Sequence, residues 1–170
     1  MNKSDLNSIN GIKALRLVAA RRLFADLTCS ELPEIARSAL GSGLASPSLK
    51  FLAGELHPTQ KDSMPLFEQA LIELGIPDEP KEKAGIRLAL FYAHEIVSGS
   101  VTPYDGARNI WGNVATEFMS TNEALWQQLV SFVGYASEWE DDPDNREHYE
   151  KEIVKDALEL INQNADFDAP

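Results

Sequence analysis

The chain has 170 residues, 44% of them hydrophobic and 25% charged, which is the composition of a folded globular protein and excludes a disordered one. Its formal net charge of −12 repels phosphate backbones and anionic headgroups, so we expect neither nucleic acid nor a membrane as partner. Its one cysteine, Cys29, allows no internal disulfide, and no N-terminal segment joins basic residues to an uninterrupted apolar run, so we expect a cytoplasmic protein.

Helix N-termini are marked by capping residues along the sequence. Thr28–Glu31 is a capping box, in which the threonine and the glutamate each accept a backbone N–H. Ser46-Pro47 and Thr102-Pro103 each place a hydroxyl cap before a proline at the first helical position. Ser120–Glu123 has the same capping composition. These segments predict where four of the helices begin.

Helix C-termini are marked by glycines. Gly41, Gly75 and Gly99 each follow an apolar helical segment and are expected to end it. The starts, the stops and the 3.6-residue apolar periodicity together predict about eight helices. They lie at residues 10–26, 29–40, 47–56, 61–74, 80–98, 103–118, 121–140 and 144–163.

The predicted fold class is all-α. The joints between helices are short, so neighbouring helices should pack together, and we expect residues 1–170 to form a single-domain helical bundle. The segment 84–97 is apolar on nearly every side, which predicts the buried central helix of that bundle. Residues 1–9 and 165–170 lie beyond the predicted helices and are expected to be flexible ends.

Arg87, His94 and Glu95 are the strongly polar side chains of the predicted central helix. Their spacing places them on one side of that helix, where they are candidates for an acid–base or anion-binding site inside the bundle. The alternative is a solvated stripe, or an ion network that satisfies its own charges. The sequence leaves both interpretations open.

No complete metal or cofactor motif occurs in the sequence. The three histidines lack the four-residue spacing of a helical zinc motif. Residues 142–146 resemble the start of a calcium loop, but Arg146 stands at a ligand position and Glu147 where the loop requires glycine. Nucleotide-binding glycine loops and the nucleophile elbow of hydrolases are also absent. We therefore assign no catalytic residue, no metal and no cofactor.

Acidic residues concentrate towards the C-terminus. Residues 136–170 contain twelve Asp/Glu and three Lys/Arg, and the densest part is 138–147, which we call the acidic elbow. In one interpretation, Pro143 ends a helix and the acids cap the next one. In the other, the acidic elbow also docks a basic protein partner, with two aromatic anchors inside a ring of acids. The predicted partner-binding residues are Glu138, Trp139, Glu140, Asp141, Asp142, Asp144, Glu147 and Tyr149.

One resemblance rests on four short segments: Gly99–Arg108, Ile110–Trp111, Val133–Gly134 and Ala136–Asp142. In these segments the chain resembles short uncharacterised bacterial proteins. In size, acidity and helicity, the whole chain is similar to immunity proteins that neutralise toxins. This second resemblance implies a stoichiometric inhibitor, and neither resemblance assigns a functional residue.

Three functional hypotheses follow from the sequence. The first is a non-enzymatic cytoplasmic binding protein, an immunity-type inhibitor that docks an acidic face on a basic protein partner such as a toxin. The second is a helical scaffold or a self-associating protein. The third is an enzyme with a site around His94 and Glu95. The sequence gives neither the identity of the partner nor the oligomeric state.

Overall fold

A computed structural model describes residues 3–167, and for residues 3–9 it describes the backbone alone. Helices dominate this range and no strand occurs in it, which confirms the all-α prediction. The helices are α1 (Lys3–Leu23), α2 (Leu32–Gly41), α3 (Pro47–Gly54), α4 (Gln60–Glu73), α5 (Lys81–Ser98), α6 (Pro103–Asn109), α7 (Thr116–Phe118), α8 (Glu123–Asp141) and α9 (Arg146–Gln163). Two 3₁₀ turns, Cys29–Glu31 and Pro143–Asn145, and one π-helical turn, Ile110–Ala115, complete the described elements.

The predicted flexible ends fall partly on described residues. Residues 3–9 have helical backbone, so α1 begins well before residue 10, where the sequence placed its start. Residues 164–167 form turns, in which the Phe167 N–H donates to the Asn164 carbonyl at 2.9 Å. Residues 1–2 and 168–170 lie outside the described residues.

The chain divides into two compact units, residues 1–81 and 82–170. The first unit contains nine Lys/Arg and ten Asp/Glu, and the second contains six Lys/Arg and seventeen Asp/Glu. Nearly all of the net negative charge therefore belongs to the second unit. That residues 1–170 form one domain stays a prediction.

The first unit is built around a leucine-rich core. Leu32, Leu49 and Leu52 are fully buried, and they share an apolar cluster with Leu15 and Phe67. Since the connections are short, α2 packs on α3 and α3 packs on α4. Burying a side chain of this size contributes about 1.5–3 kcal/mol, so this cluster is the main stabilising feature of the unit.

The carboxylate of Glu73 joins the end of α4 to the start of α3. Glu73 at the end of α4 accepts hydrogen bonds from the Ser48 N–H at 3.1 Å, the Ser48 hydroxyl at 2.8 Å and the Ser46 hydroxyl. The Ser46 hydrogen bond is the main reason why the pKa of Glu73 lies below its usual value. Ser46 also caps α3 by accepting the Leu49 N–H at 3.1 Å, which confirms the predicted start.

In the second unit, α5 is buried along much of its length. Eight of its 18 residues are buried, among them Leu88 and Ile96, in agreement with the predicted burial of segment 84–97. The other helices supply further buried side chains, such as Phe132 from α8 and Ile153 from α9. α8 packs on α6 and α9, so these three helices surround the region of the acidic elbow.

Predicted helix starts are confirmed by their hydrogen bonds. The Thr28 N–H donates to the Glu31 carboxylate at 3.0 Å, as a capping box requires. At the start of α6, Thr102 accepts the Asp105 N–H at 3.1 Å. Within the predicted Ser120–Glu123 start, Asn122 is the residue that caps α8. Local capping chemistry therefore fixes where these helices begin.

Predicted helix stops are confirmed at two positions and displaced at a third. Gly75 and Gly99 have φ values of 65° and 73°, a left-handed backbone that favours glycine. At the third stop, α2 continues through Gly41, and the left-handed residue is Gly43, with φ of 86°. Two glycines lie close together there, and the sequence alone does not say which of them turns the chain.

A π-helical turn interrupts the helix predicted at 103–118. Its Asn113 amide donates to the Tyr92 hydroxyl of α5 at 2.8 Å. The Thr116 hydroxyl donates to the Trp111 carbonyl at 2.8 Å, and so occupies a backbone acceptor of the widened turn. A single widened turn does not alter apolar periodicity enough to be read from one sequence.

Gly106 allows α6 to approach α5 closely. A Cβ atom at this position would lie 2.2 Å from Cγ1 of Ile96, well inside van der Waals contact. Gly134 in α8 is different, because a Cβ atom there would meet no atom within 4 Å. Substituting alanine for each of these two glycines therefore separates the effect of close helix packing on stability from the effect of helix propensity.

We expect Gly106→Ala to lower the free energy of unfolding by about 1–3 kcal/mol, because the added methyl forces α5 and α6 apart. Gly134→Ala, the matched control, should leave stability unchanged or raise it by up to about 1 kcal/mol, since alanine favours a helix interior. Urea denaturation of both variants measures the difference. Equal effects of the two substitutions would contradict the close approach at Gly106.

Candidate functional site

The acidic elbow joins α8 to α9 in the second unit. Pro143 lacks an N–H and disfavours helical backbone in the residue before it, so α8 ends at Asp141. Asp142 leaves the helix with φ −126° and ψ 82°, while its N–H still donates to the Glu138 carbonyl at 2.8 Å. A 3₁₀ turn follows and leads directly into α9. The prediction that Pro143 ends a helix is confirmed.

Asp142 organises this turn. Its carboxylate accepts hydrogen bonds from the Asn145 amide at 2.7 Å and from the Tyr149 hydroxyl at 3.2 Å. The Asn145 hydrogen bond is the main reason why the pKa of Asp142 lies below its usual value. Burial, with the charge of Asp142, raises the pKa of Tyr149. Two of the predicted partner-binding residues therefore bond to each other.

Trp139 is held by three neighbouring side chains. The Tyr104 ring of α6 stacks on it, with 3.9 Å between ring centroids and 19° between ring planes. The indole Nε1 donates to the Glu150 carboxylate at 3.1 Å. Cζ of Arg146 lies 3.9 Å from the centroid of the indole ring. Trp139 is consequently half-buried within its own chain, and much of its surface is already covered.

Glu140, the residue that follows Trp139 in α8, contacts two side chains of α6. Its carboxylate accepts a hydrogen bond from the Tyr104 hydroxyl at 2.5 Å and forms an ion pair with Arg108. The Tyr104 hydrogen bond is the main cause of a lowered pKa of Glu140, and it raises the pKa of Tyr104. Because Tyr104 also stacks on Trp139, one tyrosine contacts two successive residues of α8.

The other carboxylates of the acidic elbow face water. Glu147 is paired with Lys151 at 2.7 Å, an exposed ion pair of adjacent helical turns that adds little to stability. The Lys151 hydrogen bond lowers the pKa of Glu147. Glu138, Asp141 and Asp144 are exposed, and among the described residues no hydrogen bond or ion pair engages their side chains. These three carboxylates are not used by the fold.

Sequence reasoning missed three residues of this region: Tyr104, Arg108 and Glu150. Tyr104 and Arg108 are one turn apart after the predicted start of α6, so their shared helix face could have been identified. No pattern in the sequence indicates that this face meets α8. Glu150 contacts Trp139 across the turn, a pairing that depends on the angle between α8 and α9.

The three residues of the alternative site, Arg87, His94 and Glu95, differ in their exposure to solvent. Arg87 is 5% exposed, and its Cζ lies 5.0 Å from the centroid of the Phe167 ring. His94 is exposed and Glu95 is partly exposed. Helical spacing puts Arg87 and His94 on one side of α5, but their burial differs because the neighbours change along the helix.

Among side chains of residues 10–167, no group of three or more His, Cys, Asp and Glu is placed to hold a metal ion. In the described part of the chain, no helix combines the length and the apolar character needed to cross a bilayer. Comparisons with known protein families, curated proteins and solved structures give no match to this chain. Function is therefore inferred from the charge and geometry of its own residues.

We expect Asp142→Asn to destabilise the protein at neutral pH, because an amide is a weaker acceptor for Asn145 and Tyr149. The lowered pKa of Asp142 makes its contribution fully present above its ordinary pKa of 3.8 and lost as the pH falls through its folded pKa. The Tm difference from wild type should therefore shrink in acid.

The control is Asp141→Asn, which removes the same charge from the adjacent residue without breaking a described hydrogen bond. Its Tm should equal or exceed that of the wild type at neutral pH. Thermal unfolding of the three proteins across the acid range measures both effects. A Tm difference between Asp142→Asn and wild type that stays constant down to strong acid would show that the Asp142 charge has no stabilising role.

Proposed function

We propose that the chain is a non-enzymatic binding protein that docks a basic protein partner on its acidic elbow. The observation that carries this proposal is the exposed set Glu138, Asp141 and Asp144, whose charges the fold does not use. We further propose that it is an immunity-type inhibitor acting in the cytoplasm. Neither nucleic acid nor a membrane is its partner.

The carboxylates of the acidic elbow lie close together and carry like charges. Carboxylates in one short segment raise the free energy of the unbound protein, since they repel one another. Glu140 and Asp142 offset this cost with hydrogen bonds to Tyr104, Asn145 and Tyr149. The exposed set has no such compensation within the described chain. A basic partner would supply it and would speed association.

The frame beneath these charges also supports a binding role. Trp139 and Tyr149 are engaged internally, so in this proposal they hold the acidic elbow in shape and offer a partner their remaining exposed edges. Side chains that are already fixed lose little conformational entropy on association. Binding through the acidic elbow therefore requires little reordering of the free protein.

The charge of the whole second unit acts over a longer range. Its seventeen Asp/Glu against six Lys/Arg produce a negative field that attracts a basic surface before contact. Salt screens such attraction beyond about 8 Å at physiological ionic strength. Rapid and salt-sensitive association is thus the kinetic property expected of this surface.

The test compares two triple variants of equal charge. The first, Glu138→Gln with Asp141→Asn and Asp144→Asn, neutralises the exposed set. The second, Asp78→Asn with Glu82→Gln and Asp166→Asn, neutralises three exposed carboxylates outside the acidic elbow. Both should fold with wild-type or slightly higher Tm, because neither removes a described hydrogen bond.

We expect a basic protein to be captured from the native cell by the wild type and by the second triple, but not by the first. Its association rate should fall with salt for the wild type and become both slower and less salt-sensitive for the first triple. Mass spectrometry and stopped-flow fluorescence provide these readouts. Equal association by both triples would mean that only overall charge matters, and would refute docking at the acidic elbow.

The inhibitor proposal has its own experiment. Expression of the captured protein alone should arrest growth, and co-expression of the present chain should restore it. The first triple should fail to restore growth at equal expression, because it associates too slowly. A captured protein that is harmless when expressed alone would leave a binding function and exclude the immunity function.

One observation favours the second hypothesis, self-association. A groove of about 590 Å³ runs along the outer face of α9, where Leu158 is 45% exposed beside the partly exposed Val154. An antiparallel pair of α9 helices would bury both side chains. It would also bring Lys151 and Lys155 of one copy close to Glu159 of the other, so the face is complementary to itself.

We expect weak dimerisation through this face, since one helix buries less than the roughly 800 Å² per partner of a stable interface. Sedimentation equilibrium should show a mass that rises with concentration for the wild type and stays monomeric for Leu158→Gln. Met119→Gln, which alters another exposed apolar residue of the same unit, should behave as wild type. A monomeric wild type at millimolar concentration would exclude this hypothesis.

A further inference from the structure

Arg146 is the only basic residue of the acidic elbow, yet it does not pair with the surrounding acids. Among the described residues, no carboxylate oxygen comes within 4 Å of its nitrogens. Lys151, in the same helix, does form an ion pair, with Glu147 one turn away. The position of the Arg146 guanidinium therefore has another cause.

That cause is Trp139. The guanidinium lies over the indole ring, with Cζ 3.9 Å from the ring centroid, and Nε donates to the Trp139 carbonyl at 3.1 Å. The indole is itself fixed by stacking on Tyr104 and by its hydrogen bond to Glu150. The guanidinium is thus held on a rigid aromatic support.

The two terminal nitrogens of Arg146 remain available for a ligand. Nε is engaged, whereas Nη1 and Nη2 donate to no group in the described part of the chain. A planar pair of N–H donors at this end matches the two oxygens of one carboxylate. Arginine and tryptophan are also among the residue types enriched at the energetic hot spots of protein interfaces.

We propose that Arg146 binds a single carboxylate of the basic partner. This inference rests on the proposed function and specifies the partner surface: Lys/Arg-rich, with one Asp or Glu opposite Arg146. The basic side chains of the partner face Glu138, Asp141 and Asp144. The partner's carboxylate binds Arg146 and so fixes the position of the partner on the acidic elbow. A phosphate group fits less well, because its second negative charge would be repelled by the same three acids.

The experiment uses short Lys/Arg-rich peptides that carry one Glu, each paired with a peptide in which that Glu is Gln. The position of the Glu is moved along the series. Fluorescence polarisation at low salt compares the wild type with Arg146→Gln and Arg146→Lys. Lys151→Gln is the matched control, because it removes one positive charge from the same helix.

For at least one position of the Glu, we expect the wild type to bind the Glu peptide about tenfold more tightly than its Gln partner. Arg146→Gln should abolish this preference. Arg146→Lys should retain only part of it, because lysine offers no planar fork. Lys151→Gln should keep the full preference, and all variants should keep the wild-type helical circular dichroism.

The outcomes separate this inference from the proposed function. If no basic peptide binds the wild type, docking at the acidic elbow fails, and the role of Arg146 fails with it. If basic peptides bind but Glu and Gln partners bind equally at every position, only the role of Arg146 is refuted. A preference that survives in Arg146→Gln would also refute it.

Discussion

The stacked pair of Tyr104 and Trp139, with 3.9 Å between its ring centroids, holds the acidic elbow against α6. The same tyrosine donates to Glu140, so two adjacent residues of α8 are fixed by one side chain. The stack orients the indole, and the indole in turn supports Arg146. The geometry of the charged surface therefore depends on an aromatic contact made between helices far apart in sequence.

The carboxylates of the acidic elbow fall into two groups with different physical roles. Glu140 and Asp142 accept hydrogen bonds, which lower the pKa of each and stabilise the charged form. Glu138, Asp141 and Asp144 make no such bonds within the described chain and contribute repulsion. Stability and binding are thus assigned to different residues of one segment, so substitutions can alter one property without altering the other.

Part of this candidate site could be predicted from the sequence. The density of acids and the proline between two helices identified the acidic elbow, because both are local properties of the chain. The sequence also suggested Trp139 as an aromatic anchor inside a ring of acids, whereas the structure surrounds it with Tyr104, Arg146 and Glu150. Tyr104 lies more than thirty residues away, and no periodicity links it to α8.

The sequence by itself determined the all-α class and most helix boundaries. Caps such as Thr102 and stops such as Gly75 act through hydrogen bonds and backbone angles within a few residues. Only the tertiary structure decided which acids are bonded and which are exposed. Helix periodicity gives each helix an apolar face, but the pairing of polar residues depends on how helices cross, and packing across the whole unit sets that angle.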